Sequence, residues 1–178
     1  MRRSFLILVA ITAFAIAVLA VAPANFAGTW SLDKAKSQGL SPRMESADSV
    51  VWTITQDDKT ISIDQKVTGG QPPAGGGPGG GGGGGRGPAG PTSYGLDGKE
   101  TTSEITGQMT GKSTLKATWA GSTLELSRKS VLNGPNGEVN ASDMRKLTLS
   151  ADGKVLTAVI HGESPRGTTD STLVFNKQ

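Results

Sequence analysis

Apolar residues in this chain recur at every second position over much of its length. Val50, Trp52 and Ile54 alternate with polar neighbours, Gln56 to Lys59 supplies turn residues, and Ile61, Ile63 and Val67 resume the alternation. A period of two marks half-buried strands, so this stretch predicts a β-hairpin. Leu115, Ala117 and Trp119 alternate with Thr114, Lys116 and Thr118, and after Ala120-Gly121-Ser122 the pattern continues with Leu124 and Leu126. That is a second hairpin. Leu147 and Leu149 lead through Ala151-Asp152-Gly153-Lys154 into residues 155–161, where Asp-Gly predicts a type I′ turn. Asp97-Gly98 precedes a weaker strand over residues 99–105, and residues 168–175 form the last run. Residues 33–48 have room for a turn of helix, interrupted by Gly39 and Pro42. The pattern predicts an all-β chain of about eight to ten antiparallel strands. Sequential hairpins with one apolar face favour an up-and-down β-barrel, which removes exposed edges, with a β-sandwich as the alternative.

Composition changes this picture mainly at two segments. Fourteen of the 26 Gly and five of the nine Pro fall within residues 69–91, a stretch too poor in apolar side chains to offset its ordering entropy. Alternating runs flank it, so it reads as a disordered Gly/Pro-rich insertion within one domain. At the N-terminus, Arg2 and Arg3 precede eighteen uncharged residues and Ala22-Pro23-Ala24, which predicts a cleaved secretory signal over residues 1–24. The alternative is an uncleaved anchor facing outside the cytoplasm. Residues 25–178 then form a single domain, secreted or periplasmic. Without the two arginines, 16 basic residues face 15 acidic ones, so the formal charge drops from +3 to +1. No excess remains to argue for nucleic acid, or for a membrane beyond the signal segment. The absence of Cys and the single His exclude a structural zinc site and a Cys–His nucleophile within one chain.

The mature start, Asn25-Phe26-Ala27-Gly28-Thr29-Trp30, resembles the F-x-G-x-W opening of the lipocalin and fatty-acid-binding protein superfamily. The downstream order is similar too, through Leu96-Asp97-Gly98-Lys99, Trp119-Ala120-Gly121 and the closing Thr172-Leu173-Val174-Phe175. The pattern is that of small exported bacterial lipocalin-like proteins. The resemblance implies a barrel around a cavity for a small, mostly apolar ligand, with Gly28 and Trp30 closing one end. It departs from the intracellular binders at Leu173 and Phe175, where they carry an Arg-x-Tyr that holds a ligand carboxylate. The short span between the first two strands leaves no room for their helical lid.

Trp52 and Trp119 are in phase with aliphatic neighbours and are expected inside, filling the core or lining the cavity. Arg128 follows Leu124 and Leu126 on the same face, so it is expected inside either as a paired strut or as an anchor for a polar head group. The candidate ligand-binding set is Trp52, Trp119, Leu126, Arg128, Leu173 and Phe175. No catalytic or metal-binding residues and no cofactor are expected. His161 stands near Glu163, Ser164 and Ser171, but no G-x-S-x-G elbow occurs, and the glycines of residues 107–113 have the wrong spacing for a phosphate loop and lead into a strand. Three functions follow in order: a monomeric, non-enzymatic carrier of a small apolar molecule, a filled structural or interaction barrel at the cell envelope, and an enzyme.

Overall fold

The computed structural model describes residues 23–70, 90–105, 110–134 and 137–178. The expected signal, as far as residue 22, and residues 71–89 of the Gly/Pro segment lie outside the described residues. The elements are β1 (Gly28–Leu32), α1 (Pro42–Ser46), β2 (Ala47–Gln56), β3 (Thr60–Gly69), β4 (Thr92–Gly95), β5 (Thr101–Ile105), β6 (Thr110–Ala120), β7 (Thr123–Gly134), β8 (Gly137–Leu149), β9 (Val155–Ser164) and β10 (Gly167–Lys177).

Ten antiparallel strands form one sheet in the order β4-β3-β2-β1-β10-β9-β8-β7-β6-β5. Neighbours in sequence are neighbours in the sheet, with two exceptions. β1 pairs with β10 through Trp30↔Lys177 and Leu32↔Phe175, which joins the two ends of the described chain. β4 and β5 do not pair, and β4 instead comes against β6 across the seam. The result is the expected up-and-down barrel, closed except at that seam.

One half of the interior is packed solid. Trp30, Trp52, Phe26 and Phe175 are fully buried together with Ile54, Ile61, Leu124, Leu147 and Leu156. At the closed end Phe26 stacks on Trp119 with centroids 6.1 Å apart, and Trp30 Nε1 donates to the Phe26 carbonyl at 2.9 Å. Gln56 holds the same segment from both sides, accepting from Phe26 N at 2.9 Å and donating to the Ala24 carbonyl at 3.0 Å. These bonds satisfy buried polar groups that would otherwise cost about 1–3 kcal/mol each.

The opposite end is crossed by the connection from β1 to β2. Gln38 and Thr172 exchange both backbone hydrogen bonds, at 2.8 and 3.0 Å, so the connection continues along β10. Gly39 then passes so close that a Cβ there would sit 2.2 Å from the Asp170 carbonyl oxygen. Ser41 caps the single turn of α1 and Pro42 starts it, as their preferences favour. Lys34 Nζ donates to the carbonyls of Glu45 (3.0 Å) and Ala47, fixing the other end. The span between β1 and β2 thus excludes a two-helix lid but carries one short turn.

One local expectation changes. Asp152 keeps a negative φ and only Gly153 adopts a positive one (68°), so the β8–β9 turn is not type I′, which needs both. A bond from Gly153 N to the Ser150 carbonyl (2.9 Å) closes the turn, with Ser150 and Asp152 side chains joined at 2.6 Å.

Candidate functional site

Across the register the inward positions change character with height. Leu124↔Leu147↔Ala158↔Leu173 forms one rung, and Leu126↔Arg145↔Ile160↔Ser171 the next. Above it lie Arg128↔Asp143↔Gly162↔Thr169, and above that Ser113↔Ser130↔Ala141. Small side chains replace aliphatic ones, and they cannot fill the width of the barrel. The space left is a cavity of about 440 Å³, roofed by Leu40, Pro42 and Met44 from the β1–β2 connection. Leu132, Ile105, Ile160 and Leu173 supply its apolar wall.

Three charged side chains stand in this wall, each less than a fifth exposed. Asp143 Oδ1 accepts from Arg128 Nε and meets its Nη2, both at 2.6 Å, and Asp143 Oδ2 accepts from Arg145 Nε at 3.0 Å. Two guanidinium groups share one carboxylate, leaving a net charge of +1. Burial works against the charge of Arg145, yet the Asp143 carboxylate outweighs it and holds its pKa above the usual arginine value.

Among the described residues, two buried side-chain polar atoms lack a partner. Gln65, whose Oε1 accepts from Trp52 Nε1 at 2.9 Å, leaves its Nε2 unbonded in the cavity wall. The Tyr94 hydroxyl is also buried and unpartnered. Burial raises its pKa, with smaller contributions from the charges of Arg145, Asp143 and Arg128. The Gln65 Nε2, an orphaned donor in a wall that also holds the excess positive charge, is equipped to receive an acceptor that is an anion.

Of the residues singled out by sequence, Arg128 and Leu173 line the cavity. Trp52, Trp119, Leu126 and Phe175 face inward below it and are part of the packing there, with Trp52 and Phe175 rings 4.5 Å apart. Gly28 and Trp30 stand at the closed end, where Lys177 Nζ lies 5.2 Å from the Trp30 ring centroid. Asp143, Arg145, Gln65 and Tyr94 were not among the candidates, although Asp143 and Arg145 share strand parity with Leu147 and Leu149.

His161 is half exposed on the outer face, between Asp170 (Nδ1 to Oδ1, 2.6 Å) and Glu163 (Nε2 to Oε1, 3.7 Å). It is directly opposite Asp170 in the β9–β10 ladder. Among the described residues no group of three His, Cys, Asp or Glu side chains is arranged to hold a metal ion.

The chain is similar in structure to the zebrafish ileal bile acid-binding protein complexed with cholic acid, at 15% identity and a TM-score of 0.46, covering 86% of this chain and 98% of that one. It is similar also to a structure described as the REP1-NXSQ fatty acid transporter, at 12% identity and a TM-score of 0.46, covering 86% and 96%. No family model and no curated protein matches the chain.

Proposed function

We propose that this protein is an exported carrier that binds a small, mostly apolar molecule in the barrel cavity, with an anionic head group against Arg145. The observation that carries this reading is the net positive charge of the buried Arg128–Asp143–Arg145 group in the wall of a 440 Å³ cavity, a wall that also holds the unpartnered Gln65 Nε2. The volume falls within the roughly 300–1,000 Å³ of ordinary small-molecule sites, and an apolar wall with a few polar groups is their usual make-up. A buried charge without a counter-charge is costly, so an anion bound there is favoured over water. The apolar wall accommodates the rest of the molecule. Arg128 is held by Asp143 through two nitrogens, whereas Arg145 gives Asp143 only its Nε, so Arg145 is the group that faces the head. The N-terminal residues supply the reason for export: a basic start, an apolar run and Ala22-Pro23-Ala24.

The test is displacement of an uncharged apolar fluorescent dye by dodecanoate. Dodecanoate is expected to compete at micromolar concentrations, and replacing Arg145 with Met is expected to weaken it at least about tenfold, as removal of a charge-assisted bond does. A dye that never enters the barrel would sink the proposal.

A further inference from the structure

We infer that Asp143 sets the charge that the cavity accepts, so that it takes a head group with a single negative charge, a carboxylate or sulfonate, and discriminates against a phosphate monoester. This rests on the carrier reading above. Without Asp143 the wall would present two guanidinium groups, a match for a dianion. Asp143 neutralises one of them: its Oδ1 takes both Nε and Nη2 of Arg128 at 2.6 Å. Its other oxygen orients Arg145 through Nε alone, at 3.0 Å. A ligand bound at Arg145 is therefore held near a fixed carboxylate, and a second negative charge on its head group would face that carboxylate in a poorly solvated wall. A phosphate monoester carries close to two charges above about pH 7.

Other charged groups near the cavity do not alter this balance. Glu163 and Asp170 are at the rim with exposed side chains, and His161 stands between them. Solvent and salt screen such groups far more than the buried three. Asp143 is thus a specificity-determining residue, placed by the β7–β8 register that sets Arg128 directly across from it.

The experiment compares dodecanoate, dodecyl phosphate and dodecanol at pH 8, each displacing the same uncharged dye below its micelle concentration. The native protein is expected to bind dodecanoate about tenfold more tightly than dodecyl phosphate. Asp143→Asn is expected to move that ratio about tenfold toward the phosphate, and Asp143→Glu to keep it near the native value. An unchanged ratio in Asp143→Asn, with both ligands bound, overturns the inference and leaves the carrier reading intact. If no compound displaces the dye, dodecanol included, the carrier reading falls and the inference with it.

Should Asp143→Asn fail to fold, Arg128→Gln is the second variant, since Asp143 keeps Arg145 as its partner. The wall is then neutral, and dodecanoate is expected to lose its advantage over dodecanol. A retained advantage overturns the inference.

Discussion

The guanidinium of Arg145 lies over the face of the Trp52 indole, 5.9 Å from the ring centroid. Nε1 of the same ring donates to Gln65 Oε1, so one buried side chain positions two groups of the cavity wall without lining the cavity itself. Replacing Trp52 with Phe keeps an aromatic face under Arg145 and removes the N–H. Urea denaturation is expected to show a loss of about 1–3 kcal/mol from the lost hydrogen bond and the smaller ring. Dodecanoate binding is expected to weaken more than dodecanol binding. Equal weakening of both would mean that Trp52 acts by packing alone.

Ala141 is one of the small residues that leave the barrel unfilled at its upper rungs. Ala141→Leu puts apolar volume into existing space, where overpacking strain is relieved by the void. Dye binding is expected to fall severalfold while the melting temperature stays within a few degrees or rises. A melting temperature that collapses would show that this part of the wall has no room.

His161 supplies a pH dependence. The hydrogen bond to Asp170 raises its pKa above the ordinary histidine value, burial opposes this, and the charges of Asp170 and Glu163 add to the increase. The protonated form is therefore the one the fold favours. Its contribution is present in full below the unfolded value near pH 6.5 and is lost as pH rises through the higher folded value. The difference in melting temperature between the native protein and His161→Gln is expected to be largest below the unfolded value of about 6.5 and to shrink as pH rises above it. A difference that grows with pH would contradict the assignment.

Gly39 holds the roof of the cavity against β10. Its φ is 65°, and any Cβ would meet the Asp170 carbonyl at 2.2 Å, so Gly39→Ala must push the connection away from the strand. A destabilisation of about 1–3 kcal/mol is expected, with faster dye entry and release in stopped-flow mixing. Unchanged exchange rates would place the entrance elsewhere, for example at the seam where residues 64–69 of β3 extend past the end of β4.

Where the inward positions are aliphatic, the strands were legible in the sequence. Ile61 and Ile63 on β3, Leu115 and Ala117 on β6, and Leu156 and Ala158 on β9 all give a clean alternation. The upper part of β7 and the first half of β8 do not, because between Leu126 and Leu147 most of their inward positions hold Arg128, Ser130, Ala141, Asp143 and Arg145, with only Leu132 and Val139 aliphatic at the tip. Small and polar side chains alternating with polar ones carry little periodic signal, so the cavity weakened the pattern that would have announced its own walls. Arg128 was still readable as inward by continuation from Leu126. Its partner was not, since fifteen residues separate Arg128 from Asp143 and their pairing depends on where the intervening turn falls. Parity also says nothing about height, which is why Trp52, Trp119 and Phe175 read the same as residues at the cavity. Gln65 and Tyr94 gained their meaning only from neighbours on distant strands.

The pairing of β1 with β10 also governs when the barrel can form. Trp30 is opposite Lys177, and Gln178 N donates to the Thr29 carbonyl at 2.9 Å. Ring closure therefore waits for β10 to be synthesised, at roughly 5–20 residues per second. Until then β1 lacks one of its two neighbours, and the closing contact spans nearly the whole sequence, the kind of contact that slows folding.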